Sequence, residues 1–261
     1  SSLYATRDIA YHLWKWTQSN HLVNILGEDH KLQAKQVGLT LEELNSKSPE
    51  IVFYSFIKLP EGKMSTRKGN VVFMDDLLEE AHAHAAQVVK ELRPDYSEDE
   101  VATIAEAVGT SAVRFNIIKV SPEKGFTFKW EDALAFEAGS APFVMYAHTR
   151  ACSIEQKVES ELGLNQVEIS NWDDVPEGCE LLLRNLLLFQ DQLKSAVIEN
   201  RPHIFATYML QLATAYHAFY RDCHIIDGTH LQCSYLKISE VAKLALNKGL
   251  TGLGIVPLES M

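Results

Sequence analysis

The spacing of apolar residues divides the chain into a mixed first part and a mainly helical remainder. Near the start, His21–Leu26 and Ile51–Lys58 are short runs rich in apolar residues, which predict strands. Between them, Lys31–Asn45 carries apolar residues at roughly helical spacing. The order strand, helix, strand predicts a parallel βαβ unit, and ligands of such sheets gather at the carboxyl ends of the strands.

From Asp75 onward the pattern is almost wholly helical. Ser97 is placed to cap one of the helices, and the polar stretch 163–178 interrupts the series. The predicted helices cover Met74–Leu92, Glu98–Val120, about Phe143–Val158, Cys179–Glu199, Pro202–Asp222 and about Leu236–Leu250. These patterns predict an α/β part followed by an all-α part.

Composition and charge exclude several classes of function. The 261 residues carry a formal net charge of -11, which argues against non-specific nucleic-acid binding, because such binding needs a broadly basic surface. The four cysteines show neither a CxxC pair nor zinc-site spacing, so we expect no protein metal site and a reducing cytoplasm. Neither a long apolar run nor a signal-peptide pattern is present, and we expect no membrane contact.

The segment Lys63–Asn70, KMSTRKGN, gathers cations, hydroxyl groups and a glycine after the second predicted strand. Cations and hydroxyl groups suit a triphosphate whose charge shifts during a reaction, and Gly69 permits a positive φ. The glycine spacing is not that of a Walker loop. From charge alone, a solvated basic turn is an equal alternative.

The order of residues in this segment resembles the second signature of class I aminoacyl-tRNA synthetases, in the variant of arginyl-tRNA synthetases. Further stretches similar to that family are SLYATRDIAYH, GEDHKLQAKQ, GSAPFVMYAHTRACSI, NRPHIFATYMLQLATAYHAFY and the ending LGIVPLESM. The resemblance covers nearly the whole chain and favours an archaeal-type member. It implies the second half of a Rossmann-like catalytic domain, residues 1–125, followed by a helical-bundle anticodon-binding domain, residues 126–261.

The resemblance implies a reaction and its ligands. The family activates L-arginine with ATP, releases pyrophosphate and esterifies the terminal ribose of tRNA-Arg, and Mg²⁺ is expected with the triphosphate. The residues that it implies for catalysis are Lys63, Ser65, Arg67 and Lys68. Thr66 and Arg67 stand where the KMSKS pattern has Lys and Ser. The source of the second charge therefore stays open between Arg67, Lys68 and a group outside the chain.

The resemblance also implies contacts with arginine and with the nucleotide. Tyr4 and Asp8 share one helix face through their i, i+4 spacing, and Asp8 would pair with the substrate guanidinium while Gln33 adds an amide contact. The alternative is an ordinary core tyrosine and a surface acid. The positions implied for ATP binding are Gly27, Asp29, His30, Lys63 and Met64. A strand-end glycine or a single histidine is otherwise a structural residue.

Aromatic residues of the helical part are implied to hold the anticodon, because unpaired bases bind by stacking on aromatic faces. The implied positions are Phe143, Tyr146, Arg150, Tyr216, Tyr220 and Met261. Aromatic residues at helical spacing are also typical of a packed core, and that alternative stays open.

The family's first signature, which is HxGH-like, is absent from the sequence, and we interpret His82 and His84 as exposed helix residues. The sequence also begins without Met. We therefore expect a fragment that is inactive in isolation and needs the amino-terminal half of the same protein as its partner. A synthetase-like RNA-binding or interaction protein without activity is the alternative. An unrelated α/β domain joined to a helical bundle is a third interpretation.

Overall fold

The computed structural model describes residues 4–58, 73–135, 139–161, 163–169 and 172–261. The chain forms two compact units, Ser1–Leu59 with Val120–Thr127, and Pro60–Lys119 with Phe128–Met261. The first unit is therefore discontinuous in sequence, because it includes a short segment that follows two long helices of the second unit. The boundary predicted between residues 125 and 126 stays a prediction.

The first unit is a small parallel α/β structure. Its elements are α1 (Tyr4–Gln18), β1 (Val23–Gly27), α2 (Lys31–Glu43), β2 (Glu50–Tyr54), β3 (Ile57–Lys58) and β4 (Phe126–Thr127). β1 pairs with β2 in parallel, from Val23 beside Glu50 to Gly27 beside Tyr54. This pairing confirms the predicted βαβ unit. Leu41 of α2 is fully buried and is part of the small core that holds the helix in place.

The run predicted as one strand, Ile51–Lys58, is two strands in the structure. At Ser55 the backbone N–H donates to the carbonyl oxygen of Pro122 over 2.8 Å, outside the ladder between β1 and β2. β3 then pairs in parallel with β4. The apolar pattern does not reveal this change of partner, because both pieces have similar composition.

The second unit is a bundle of long helices. Its elements are α3 (Met74–Leu92), α4 (Glu98–Ile118), α5 (Trp130–Ala133), α6 (Ala141–Ser160), β5 (Asn165–Val167), α7 (Glu177–Ile198), α8 (Pro202–Asp222), β6 (Ile226–Asp227), β7 (His230–Gln232) and α9 (Cys233–Gly252). α3 packs on α4, α7 packs on α8, and α6 packs on α9. The three short strands form a sheet in the order β5-β7-β6.

Local signals set several helix ends. The hydroxyl of Ser97 accepts from the backbone N–H of Glu100, whose carboxylate accepts from the backbone N–H of Ser97, so a capping box starts α4. Ser140 caps α6, and Pro202 occupies the first turn of α8. The predicted bounds of α3 and α8 are confirmed, and the other long helices differ from prediction by a few residues.

α4 has a length and composition that also suit a membrane span, with a mean hydropathy of 1.2 in its most apolar window. More than half of that window, 56%, is buried inside the protein. Core helices of this kind satisfy the same criteria, so α4 is weak evidence for a span.

Some local predictions need correction. His82 and His84 are half-buried rather than exposed: His82 Nε2 lies 3.0 Å from Thr110 Oγ1, and the His84 ring lies 5.2 Å from the Trp130 ring. The polar stretch 163–178, which we expected to interrupt the series of helices, contains β5 and the first residues of α7. β6 and β7 were not predicted, because strands of two or three residues carry no periodic signal.

Candidate functional site

A cavity of about 560 Å³ in the first unit is lined by α1, β1 and α2. Asp8, His12 and Lys15 face it from α1, since positions four and three apart share one side of a helix. Asn24 of β1 and Gln33 of α2 add further polar side chains to the lining. The structure thus brings together Asp8 and Gln33, two residues predicted from sequence as arginine contacts.

Gln33 holds the carboxylate of Asp8 at this cavity. Its amide nitrogen donates to Asp8 Oδ2 over 2.7 Å, and its amide oxygen lies 3.4 Å from His30 Nδ1. The amide is therefore oriented from both ends, because the carboxylate can only accept. Asp8 is half-buried and lines the cavity, and a carboxylate of this kind attracts a cation with several N–H donors.

A chain of hydrogen bonds through Lys15, Asn24 and His12 ends at the backbone oxygen of Asp8. Lys15 has only donors, and its ammonium lies 3.5 Å from Asn24 Oδ1, so the Asn24 amide nitrogen faces His12 Nε2 at 2.7 Å. His12 Nε2 must then accept, which places the imidazole proton on Nδ1 and lets it donate to the backbone oxygen of Asp8 over 2.7 Å. His12 thereby links the turn that carries Asp8 to Asn24 of β1.

Sequence reasoning missed His12, Lys15 and Asn24. Two signals were available: His12 follows Asp8 at i+4, and Asn24 is a polar residue inside an apolar strand run. Neither signal identifies the partner, because the contact between α1 and β1 depends on tertiary packing.

The other residues of the first unit that were predicted to contact arginine or ATP are not all at the cavity. Tyr4 lines the cavity but is 82% exposed. Gly27 ends β1, and a Cβ there would lie 2.6 Å from Asp29 Oδ1, so a larger residue would require the Asp29 carboxylate to move. Asp29 and His30 belong to the single turn of 3₁₀ helix after β1, and of these two only His30 lines the cavity.

The KMS-like loop lies outside the described residues, since residues 59–72 are not among them. The predictions for Lys63, Met64, Ser65, Arg67 and Lys68 therefore stay predictions.

In the second unit the guanidinium of Arg150 lies between two tyrosine rings. Its central carbon is 4.4 Å from the ring centroid of Tyr146 and 4.7 Å from that of Tyr220. Both distances are typical of cation–π contacts. Tyr146 and Arg150 come from successive turns of α6, whereas Tyr220 comes from the last turn of α8.

Two cavities lie beside this Arg150 cluster. One of about 510 Å³ is lined by Arg150, both tyrosines and Met261. The other, of about 630 Å³, shares Arg150 and Tyr220 and adds the cations Lys157 and Arg221. A local group of cations and aromatic rings suits a nucleic-acid segment, although the whole chain is acidic.

His217 fixes the position of Arg150. Its Nε2 lies 3.3 Å from the carbonyl oxygen of Phe143 and donates to it, so Nδ1 accepts from the guanidinium over 3.1 Å. Burial lowers the pKa of His217, and the positive charge of Arg150 lowers it further, while the hydrogen bond to Phe143 opposes both effects. The imidazole is therefore held neutral, as an acceptor for Arg150 requires.

Two of the predicted anticodon residues, Phe143 and Tyr216, lie in the core, whereas Met261 lines the smaller cavity beside Arg150. Tyr216 is fully buried and its hydroxyl is 2.9 Å from Ser239 Oγ, so it occupies a core position instead of the exposed position that stacking requires. Burial raises the pKa of Tyr216. Phe143 is also buried, with its ring 4.7 Å from that of His217. Met261 lines the smaller cavity, and its main-chain oxygen accepts from Arg93 over 3.2 Å.

Among the residues that the structure describes, no group of three or more His, Cys, Asp or Glu side chains could hold a metal ion. All four cysteines are free, and burial raises the pKa of Cys223 to about 12.

Two family models match the chain. Residues 1–130 match "tRNA synthetases class I (R), catalytic domain", and residues 144–261 match "DALR anticodon binding domain". Among curated relatives, an Arginine--tRNA ligase of Methanocella arvoryzae is 43% identical over 263 residues, which cover 100% of this chain and 46% of the relative. The Arginine--tRNA ligase of Methanococcoides burtonii is 40% identical, with 100% and 47% covered.

Solved structures agree in fold. The arginyl-tRNA synthetase of Thermus thermophilus superposes with a TM-score of 0.83 at 24% identity, over 100% of this chain and 50% of that one. The chain thus spans about half the length of the relatives that it matches.

Proposed function

Because the chain belongs to the arginyl-tRNA synthetases of class I, we propose that it supplies part of the sites that activate L-arginine with ATP and transfer it to tRNA-Arg. In the first step the arginine carboxylate attacks the α-phosphorus and pyrophosphate leaves. In the second, a ribose hydroxyl of the tRNA attacks the activated carbonyl carbon and AMP leaves. The observation that carries the proposal is the Asp8 carboxylate, oriented by Gln33 at a cavity.

Asp8 is proposed to bind the substrate guanidinium. A carboxylate and a guanidinium form a charge-assisted pair, and the fixed fork of N–H donors selects arginine over lysine. Gln33 holds the carboxylate, and the chain through His12, Asn24 and Lys15 holds the helix turn that carries it. We therefore treat these four as positioning residues and Tyr4 as a contact at the mouth of the cavity.

The nucleotide is proposed to bind at the carboxyl end of β1. Gly27 permits close approach of the backbone, while Asp29 and His30 offer polar contacts to ribose or adenine. The KMS-like loop would neutralise the pyrophosphate that leaves, with Lys63 as its main cation and Ser65, Arg67, Lys68 and Met64 as further contacts. Catalysis of this kind depends on positioning and charge stabilisation. Mg²⁺ would arrive with the triphosphate.

The Arg150 cluster is proposed to bind the anticodon of tRNA-Arg. Tyr220 is 41% exposed, so part of its ring is available to stack on a base. Tyr146 and Arg150, the other members of the cluster, line the smaller cavity. Met261 would close the far side. Phe143 and Tyr216 enter the proposal only as residues that support these contacts from the core.

We also propose that the 261 residues do not form arginyl-tRNA by themselves. They contain no HxGH-like motif and span about half of the relatives' length, so the proposed ATP site needs groups from elsewhere. The proposed partners are thus arginine, ATP, tRNA-Arg and the amino-terminal half, and translation in the cytoplasm is the proposed setting.

The test joins the chain to the upstream half of an arginyl relative and measures charging of tRNA-Arg. We expect activity from the joined protein and none from the 261 residues, with folding of both checked by circular dichroism. Tyr146→Ala should raise the tRNA concentration for half-maximal charging about tenfold or more, because stacking on an aromatic ring contributes about 1–3 kcal/mol. It should leave the arginine dependence unchanged at saturating tRNA.

Lys248→Ala is the matched control, since this exposed residue of α9 lies outside both cavities of the Arg150 cluster. If the joined, folded protein binds tRNA without charging it, the alternative of a non-catalytic RNA-binding protein is favoured. Equal effects of Tyr146→Ala and Lys248→Ala would contradict the anticodon assignment.

A further inference from the structure

One face of α7 exposes large apolar side chains that the helical bundle leaves uncovered. Leu187 is 82% exposed and Ile198 is 78% exposed, with Leu181 and Leu188 exposed as well. The opposite side of the same helix contributes Cys179, Leu182 and Ala196 to the core. An apolar group of this kind on a surface helix typically marks an interaction site.

Charged residues on this face alternate around the leucines. Glu180 and Arg184 lie before Leu187, and Asp191 and Lys194 lie after Leu188. All four share the face, because steps of three and four residues return to one side of a helix. From Glu180 to Lys194 the side chains on this face are therefore negative, positive, apolar, negative and positive in order.

This order is self-complementary when two copies of α7 run antiparallel. With a two-fold axis between Leu187 and Leu188, Arg184 lies three positions before Leu187 and meets Asp191 of the other copy, which lies three positions after Leu188. The same symmetry brings Lys194 to Leu181 and Glu180, where its apolar stem covers the leucine and its ammonium reaches the carboxylate. A two-fold interface repeats every such contact twice.

We infer that this face of α7 binds the same face of a second copy of the chain, as an antiparallel helix pair. Leu187 and Leu188 of both copies form the centre, and Arg184 pairs with Asp191 on each side of it. Within its own chain Arg184 already contacts Glu180, which orients the guanidinium along this face. The fit to a second copy comes from the symmetric charge order and from the exposed leucines at its centre.

Other partners fit this face less well. A nucleic acid or an anionic membrane would meet the carboxylates of Glu180 and Asp191, together with a chain whose net charge is -11. That net charge also opposes the approach of a second copy. A single helix pair reaches at most the low end of stable interfaces, about 1,200 Å² in total, so we expect weak, concentration-dependent dimers.

The test is sedimentation velocity of the 261-residue chain over a wide range of concentration. The parent chain should change from monomer to dimer, and Leu187→Glu should weaken dimerisation about tenfold or more, because it places a charge at the centre. Leu244→Glu, at an exposed leucine of α9, is the matched control and should dimerise like the parent.

A charge exchange makes the test specific to the proposed geometry. Arg184→Asp and Asp191→Arg should each weaken the dimer, and the double variant should restore it, since each interface then has the reversed pair. A chain that is monomeric throughout overturns the inference. So does a dimer that survives Leu187→Glu, or a double variant that is no better than the single ones, because each places the contact elsewhere.

Discussion

Asp8 takes its position from side chains of three elements. Gln33 of α2 holds its carboxylate, while His12 of α1 and Asn24 of β1 hold the turn that carries it. The family resemblance predicted Asp8 and Gln33 as arginine contacts. His12 and Asn24 could not be identified in that way, because their role depends on the proximity of α1 to β1, which periodicity does not encode.

Tyr216 and Tyr220 show a second limit at the residue scale. Their i, i+4 spacing on α8 is the same for a core face and for a binding face. In the structure Tyr216 is fully buried against Ser239 of α9, whereas Tyr220 is 41% exposed beside Arg150. The neighbouring helix decides between the two environments.

His217 makes the stability of the second unit depend on pH. Burial lowers its pKa in the folded protein below the ordinary value of about 6.5. Above pH 6.5, by that reference value, the imidazole is neutral in both folded and unfolded states, and there is no effect. As the pH falls below that value, the unfolded chain takes up a proton more readily, so the free energy of unfolding decreases. His148, whose pKa burial also lowers, acts in the same direction.

We expect the loss of stability between about pH 7 and 5 to be smaller in His217→Gln than in the parent chain, measured by chemical unfolding. Carboxylates with lowered pKa, such as Glu100, lose their contribution only at more acidic pH. His230→Gln, at an exposed histidine, should keep the parent's pH dependence. An unchanged pH dependence in His217→Gln would show that this imidazole is not held neutral by the fold.

At the scale of elements, the helices followed from the sequence better than the strands. α3 and α8 were predicted at their observed bounds, because acidic first turns and proline mark where such helices begin or end. β3 to β7 have only two or three residues each. These strands form by pairing with distant segments, as β5 does with β7, and their own sequences are too short to specify an extended conformation.

The capping box of α4 gives a prediction at this scale. Ser97→Ala removes the hydroxyl that accepts from Glu100 and should lower the free energy of unfolding by about 1 kcal/mol, as for other helix caps. Hydrogen bonds from Ser97 also lower the pKa of Glu100, so the parent loses this contribution as the pH falls through the folded pKa. Chemical unfolding at neutral pH measures the difference.

Ser160→Ala is the control, because that hydroxyl only donates to the Lys157 carbonyl oxygen at the end of α6. It should change the unfolding free energy by less than about 0.5 kcal/mol. Equal effects of the two substitutions would mean that the cap does not stabilise α4.

At the scale of the whole molecule, the sequence predicted the helical unit more completely than the first unit. The helical unit followed from periodicity, and the match of its residues 144–261 to the DALR model agrees with the motifs that indicated an anticodon-binding domain. The prediction of the first unit was less complete, because β4 of this unit comes from a segment that follows α4 in the sequence. A boundary drawn along the sequence cannot represent such a discontinuous unit, although the order of motifs correctly indicated the family.

The central claim is that Asp8 recognises the guanidinium of arginine. The measurement is arginine-dependent pyrophosphate exchange in the presence of tRNA, by the chain joined to the upstream half of a relative. The parent is compared with Asp8→Asn and with the control Gln36→Ala, which lies on the exposed side of α2. A bound guanidinium would cover the half-buried carboxylate of Asp8, and loss of one partner of a buried charge pair costs about 2–5 kcal/mol. We therefore predict that Asp8→Asn raises the arginine concentration for half-maximal exchange about 30-fold or more, and that Gln36→Ala does not. The same arginine dependence in Asp8→Asn and the parent would contradict the account.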